Sequence, residues 1–120
     1  MHSHNTRVGS GGEELAERHL RTGGYRILGR NVHVGRLGEI DLIAERGGRI
    51  VFVEVKARFG SGYGRPEEAL TVAKRLHFRR AIQAWLLRRG LTGVPHRADV
   101  IAIDFAAMPP AVRHLEAVEL

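Results

Sequence analysis

The sequence contains no cysteine, which excludes disulfide bonds and thiolate metal ligands. No apolar run approaches the roughly 18 residues that a membrane-spanning helix requires. The first twelve residues, MHSHNTRVGSGG, lack the apolar centre of a signal peptide. We therefore expect a cytoplasmic protein without membrane contact, in which residues 1–11 form a flexible N-terminal arm.

Lysine is nearly absent, since it occurs only at Lys56 and Lys74 and arginine supplies the other positive charges. The formal net charge is nevertheless +6, which suits a polyanionic partner such as nucleic acid. A genome biased towards arginine explains the general trend. The retention of lysine beside Glu54 favours a requirement for a compact ammonium group at that position.

The remaining composition predicts one folded domain over residues 12–120. Hydrophobic residues make up 43% of the chain and charged residues 27%, which are values typical of globular proteins. Hydrophobic periodicity and glycine-rich turns predict the order αβββαβ(β). The first helix would begin at the capping box Ser10–Glu13, and the second would run from Glu67 or Thr71 to Arg89. The predicted fold class is α/β, with helices flanking a mixed β-sheet.

Charged residues interrupt the most apolar of the predicted strands. Glu54 and Lys56 follow Ile50 and Phe52 on one face of this strand, because strand side chains alternate between faces. The turn at residues 47–48 makes the preceding strand its hairpin partner, so Asp41 is expected beside Glu54. The sequence therefore predicts two carboxylates and one ammonium at the end of a core hairpin.

Two readings of this cluster remain open from the spacing alone. Neighbouring carboxylates repel one another unless a cation holds both ionised, and carboxylate oxygens are the ligands that Mg²⁺ or Mn²⁺ prefers. In that reading Asp41 and Glu54 bind the metal, and Lys56 faces a phosphate or the attacking water. In the other reading Glu54 and Lys56 form an ordinary ion pair on a half-solvated sheet, and Asp41 is incidental.

The segments GEIDLIA, VFVEVKAR and RADVIAI resemble the YraN-like family of small bacterial proteins. That family is predicted to consist of endonucleases distantly similar to archaeal Holliday-junction resolvases, within the PD-(D/E)xK superfamily. The resemblance extends from about Gly12 to Phe105 and implies a restriction-endonuclease-like fold. It also implies a homodimer, in analogy with resolvases whose paired sites cut paired strands.

The resemblance assigns roles to individual residues. It implies that Asp41 and Glu54 are metal ligands, that Lys56 is the catalytic lysine, and that the backbone carbonyl of Val55 is a further ligand. Glu13 matches an early helical glutamate near the metal of the resolvase-like members. A capping-box glutamate is an equally weighted reading of Glu13.

Five basic residues are candidates for contacting nucleic acid phosphates. Lys74 matches a family lysine at the start of the long helix, although a side chain that extends into solvent is an equal alternative. Arg58 follows the ExK element and Arg65 lies in the glycine-rich loop. Arg75 and Arg79 would form a basic helix face, which is most often simply solvated.

The predicted function is that of a Mg²⁺- or Mn²⁺-dependent endonuclease acting on DNA, including branched or structured DNA. The alternative is a nucleic-acid-binding adapter that has this fold, cuts nothing, and works within a repair or recombination assembly.

Overall fold

A computed structural model describes residues 3–60 and 70–120, with side chains from residue 11 onwards. The elements, in chain order, are α1 (Ser3–Thr22), β1 (Arg26–His33), a 3₁₀ turn (Gly35–Leu37), β2 (Glu39–Arg46), β3 (Arg49–Arg58), α2 (Val72–Arg88), β4 (His96–Asp104) and β5 (Ala111–Leu115). This order and the mixed sheet confirm the predicted fold class. No helix in the described part of the chain is long and apolar enough to cross a membrane.

The five strands form one sheet in the order β1-β2-β3-β4-β5. Neighbouring strands are antiparallel except β3 and β4, which are parallel and are connected through α2. The most central strand, β3, pairs with β4 from Ile50 to Arg58 but with β2 only from Arg49 to Val53. The last five residues of β3 are therefore unpaired on the β2 side.

Each face of the sheet carries one helix and one apolar cluster. Ile50 and Phe52 pack with Phe78 and Trp85 of α2, whereas Val51 and Val53 pack with the α1 residues on the other face. This alternation along β3 confirms the predicted assignment of its two faces. Thr71 caps α2, and its hydroxyl accepts a hydrogen bond from the Lys74 N–H at 3.2 Å.

The first helix begins earlier than the sequence predicted. Ser3–Thr22 is a continuous helix, so Ser10 lies within α1 and is not its N-terminal cap. That residues 1–11 form a flexible arm stays a prediction. The glycines at positions 9, 11 and 12 disfavour this part of the helix, because glycine is the weakest helix former after proline. Close packing of Gly12 against β3 accounts for one of these glycines. The prediction of a single domain over residues 12–120 stays a prediction.

Candidate active site

The candidate site lies where β2 and β3 separate. Their ladder ends at the Leu42–Val53 pair. One further step in the same register places Asp41 opposite Glu54. Instead of a main-chain bond at this point, the Asp41 Oδ2 accepts a hydrogen bond from the Val55 N–H at 2.8 Å. The two acids thus meet at the opening between the strands, which we call the fork, and not on a continuous sheet surface.

Asp41 is half-buried, and its environment opposes ionisation. Burial raises the pKa of its carboxyl group above the ordinary value, and the negative charge of Glu39 adds to this effect. The Val55 N–H and the Lys56 ammonium act in the opposite direction but do not restore the ordinary pKa. Asp41 is therefore a carboxylate whose charge is incompletely compensated within the chain.

The pKa of the Glu54 carboxyl group is raised more strongly than that of Asp41. Burial, followed by the charge of Asp41, raises the pKa of Glu54 to about 7. Lys56 and Lys74 partly offset this rise, and Glu13 contributes to it. Near neutral pH a proton or an added cation would therefore relieve the repulsion between the two acids.

The only two lysines in the chain meet beside these acids. Lys56 is half-buried, and its burial lowers the pKa of the ammonium; a side-chain hydrogen bond with Lys74 and the charge of Lys74 lower it further. Glu54 and Asp41 act in the opposite direction. Lys74 reaches the site because it lies in the first turn of α2, directly after the Thr71 cap. Lys74 is itself exposed, so its contact with a substrate phosphate stays a prediction.

Glu13 approaches the fork from α1. A side-chain carbon on Gly12 would lie 3.0 Å from the Ala57 Cβ, so the absence of a side chain lets α1 approach β3 closely at this point. The pKa of Glu13 is raised by burial and by the charge of Asp41, whereas a hydrogen bond with the Asn31 side chain lowers it. Asn31 was not among the site residues predicted from the sequence. Its backbone on β1 is left-handed (φ 48°), which is unusual for a strand residue.

The donor atoms at the fork fit a hard divalent cation. Two incompletely compensated carboxylates face one opening. In an extended strand a residue's N–H and C=O point to the same side, so the Val55 carbonyl faces β2 together with its N–H. Among the side chains that the structure describes, those of residues 11–60 and 70–120, no three of His, Cys, Asp or Glu form a metal-binding group. The role of Glu13 as a further ligand stays a prediction.

A cavity of about 200 Å³ opens beside Glu54, between α2 and the segment that enters β2. Its polar lining residues are Glu39, Glu54, Lys74 and His77. The other lining residues are Leu37, Gly38, Leu70, Phe78 and Ala81. His77 was not identified from the sequence. Its position three residues after Lys74, on the same side of a helix, is the signal that could have indicated it.

The other predicted phosphate contacts have different outcomes. The backbone carbonyl of Arg58 accepts a hydrogen bond from the Phe105 N–H at 2.8 Å. The guanidinium charge of Arg58 contributes to lowering the pKa of Asp104. Arg75 and Arg79 lie on α2 but do not line the cavity beside Glu54. Arg65 lies outside the described residues. Contacts of these arginines with nucleic acid stay predictions.

A second polar cluster lies elsewhere on the sheet, around the buried Asp99. Its carboxylate accepts hydrogen bonds from Arg97 Nε at 3.0 Å, His114 Nε2 at 2.7 Å and the Ala117 N–H at 3.0 Å. Burial alone would raise the pKa of Asp99, but these bonds outweigh it and lower the pKa. Arg97 and His114 are therefore the two side chains that compensate the charge of Asp99.

Comparison with known proteins identifies relatives along most of the chain. Residues 12–103 match the model of the uncharacterised protein family UPF0102. A UPF0102 protein of Symbiobacterium thermophilum is 49% identical over 82% of this chain and 82% of its own length. A UPF0102 protein of Rhodococcus jostii is 43% identical over 94% of this chain and 96% of its own length. One from Geobacter sulfurreducens is 42% identical over 93% of this chain and 88% of its own length. The chain therefore belongs to the UPF0102 family, as its YraN-like resemblance predicted.

Proposed function

We propose that the chain is an endonuclease that hydrolyses phosphodiester bonds in DNA, including branched or structured DNA, with Mg²⁺ or Mn²⁺ held by Asp41 and Glu54. The proposal is supported chiefly by one observation. The fork brings together Asp41, Glu54, Lys56 and Lys74. A purely structural role does not account for this arrangement, since burial shifts the pKa values of Asp41, Glu54 and Lys56 towards their neutral forms.

The residues have distinct roles in this proposal. The carboxylates of Asp41 and Glu54 and the Val55 carbonyl would hold the cation, with Glu13 of α1 as a further proposed ligand. When bound, the cation supplies Lewis-acid polarisation of the phosphoryl oxygen and a lowered pKa of water. The Lys56 ammonium stabilises negative charge on the phosphate as that charge increases. Lys74 adds a second positive charge at the same position.

The basic balance of the chain supports a nucleic acid as the substrate. A net charge of +6 lowers the free energy of association with a polyanion and accelerates encounter. Arg58, Arg65, Arg75 and Arg79 are the proposed phosphate contacts outside the fork. A cytoplasmic location and a homodimer belong to the same set of predictions.

Cleavage of labelled DNA duplexes, flaps and four-way junctions in Mg²⁺ or Mn²⁺ tests the proposal. Asp41→Asn, Glu54→Gln and Lys56→Ala should each reduce the cleavage rate by at least about 100-fold, a loss typical of removing one group that stabilises the transition state. Lys56→Arg should fail as well, because a guanidinium is larger and planar.

Glu45→Gln is the matched control. Glu45 lies on the same strand as Asp41 but its carboxylate pairs with Arg26 and the Gly48 N–H at the far end of the hairpin. Its variant should cleave at the unaltered rate. Full activity of the Glu54→Gln protein would overturn the proposal. Salt-dependent DNA binding without cleavage in any divalent metal would instead support a non-cleaving adapter.

A further inference from the structure

The cavity beside Glu54 has the wrong charge for a phosphate. Two of its polar lining groups, Glu39 and Glu54, are carboxyl groups, which repel an anion when ionised. Lys74 opposes them from α2 with an ammonium group, so the rim carries charges of both signs, and His77 adds an imidazole ring. A neutral group that both donates and accepts hydrogen bonds suits such a rim better than a phosphate does.

The other lining residues that the structure describes are apolar, apart from Gly38. Leu37 comes from the turn before β2, whereas Phe78 and Ala81 come from the buried stripe of α2. The volume of about 200 Å³ is below the roughly 300–1,000 Å³ of pockets that hold drug-sized ligands. The space is therefore suited to one small ring system with apolar faces and a polar edge.

A nucleobase has these properties, and the proposed function places nucleic acid at this position. The bases of an intact duplex are stacked and paired, so none can enter a pocket in the protein surface unless it leaves the stack. An unpaired nucleotide loses little on doing so. Glu54 belongs to both the cavity and the fork, so a base in the cavity would be close to the phosphate that reacts.

We propose that the cavity lined by Leu37, His77 and Ala81 binds one unpaired nucleobase next to the scissile phosphate, so that the substrate is nucleic acid with an unpaired nucleotide at the cleavage position. This inference rests on the proposed function. His77 is exposed at the rim and offers an aromatic ring on which the base stacks. Lys74 lies between the cavity and Lys56, where it contacts the backbone of the same nucleotide.

Binding in EDTA tests the inference without cleavage. Fluorescence anisotropy would compare the protein's affinity for three DNA duplexes: fully paired, with one bulged 2-aminopurine, and with one bulged abasic site. The bulged base should bind at least about 10-fold more tightly than either other duplex, a factor within the range of one base–aromatic stacking contact. The 2-aminopurine emission should also change on binding, because its stacking partners change. Equal affinity for the bulged base and the abasic site would overturn the inference.

Substitutions in the cavity lining provide a second test of the inference. Ala81→Val reduces the cavity and should remove the preference for the bulged base, whereas Ala84→Val, on the same helix but outside the lining, should keep it. His77→Ala changes only an exposed side chain, so it tests the site even if Ala81→Val fails to fold. Gln83→Ala, also exposed on α2, is its control. A preference that survives both Ala81→Val and His77→Ala overturns the inference.

Cleavage in Mn²⁺ separates this inference from the proposed function. Equal cleavage rates for paired and bulged DNA would overturn the inference and leave the function intact. A preference for the bulged base in EDTA, combined with no cleavage of any DNA, would overturn the function and support the base-binding cavity alone.

Discussion

The fork and the Asp99 cluster place carboxylates in the same sheet with opposite electrostatic results. Asp99 is fully buried, yet its pKa is lowered, because four hydrogen bonds from three residues reach its two oxygens. Asp41 and Glu54 are less buried, yet their pKa values are raised. The degree of burial therefore does not decide whether an acid in this protein is stably charged. The number and placement of donors decides it.

The two regions accordingly have different roles. The bonds around Asp99 connect β4 to the chain after β5, and His114 continues the network to His19 of α1 at 3.0 Å. Such a network stabilises the fold and leaves no unsatisfied charge for a ligand. The fork keeps charge that the chain itself does not compensate, which is typical of sites that act on a substrate or an ion.

The largest expected effect comes from removing Asp99. Asp99→Ala removes the acceptor that Arg97, His114 and the Ala117 N–H share, whereas Arg97 retains the Tyr25 hydroxyl and the exposed Glu116. The free energy of unfolding should therefore fall by about 3–5 kcal/mol, as is typical of breaking a buried ion pair. Asp41→Asn should change it by no more than about 1 kcal/mol, because an amide oxygen still accepts from the Val55 N–H while the unfavourable charge disappears. Urea denaturation of both variants measures the difference. Equal losses would contradict the distinction between the regions.

Glu54→Gln tests the same distinction through pH. The pKa of Glu54 is about 7 in the folded chain against an ordinary 4.5, so ionisation opposes folding. This acid contributes its full stability below pH 4.5 and loses it as pH rises through 7, a decrease on the order of 3 kcal/mol. In EDTA, wild type and variant should therefore be similar near pH 4, and the variant should be more stable near pH 8. A constant difference across this range would contradict the raised pKa.

A smaller effect is expected from the two glycines that precede Glu13. A Cβ on Gly11 would lie 3.6 Å from the Phe105 ring, an ordinary contact, whereas one on Gly12 would lie 3.0 Å from the Ala57 Cβ. Gly11→Ala should therefore gain up to about 1 kcal/mol of stability from helix propensity. Gly12→Ala should gain less or lose stability, because α1 must move away from β3. Thermal unfolding of the pair gives the comparison; equal stabilities would show that Gly12 does not set the position of α1.

The smallest effect is expected at Glu17, which is partnered but near the surface. Hydrogen bonds from Arg30, followed by the contact with Arg21, lower the pKa of Glu17 to about 2. Both arginines are more than half exposed, so solvent screens much of this interaction. Glu17→Gln should reduce the free energy of unfolding by at most about 1 kcal/mol, and by less in 1 M salt. A loss as large as that of Asp99→Ala would mean that donor number alone, without burial, determines stability.

Much of the fold could be predicted from the sequence because its signals are local. The Ile50–Val55 run, the glycine pair at residues 47–48 and the stripe Phe78, Ala81, Ile82 and Trp85 each specify an element through periodicity or turn chemistry. The predicted start of α1 was wrong because it too relied on local signals. Local propensity argues against a helix through Gly11 and Gly12, whereas packing on β3 favours it.

The candidate site could be predicted only as a set of residues. The alternation of β3 placed Glu54 and Lys56 on one face, and the short turn brought Asp41 to the adjacent strand. The sequence did not indicate that the β2–β3 ladder ends at Leu42, that Asp41 accepts from the Val55 N–H, or that Lys56 meets Lys74. Each of these facts depends on a contact between residues distant along the chain.

Hydrophobic period and turn chemistry act over a few residues, so the α/β class, the order of the elements and the acidic and basic residues that share the hairpin follow from the chain alone. Which carboxylates are compensated by donors, and which are not, follows from the packing of the elements. That outcome depends on the distances between donors and acceptors from separate elements, and these distances are fixed only when the helices pack on the sheet.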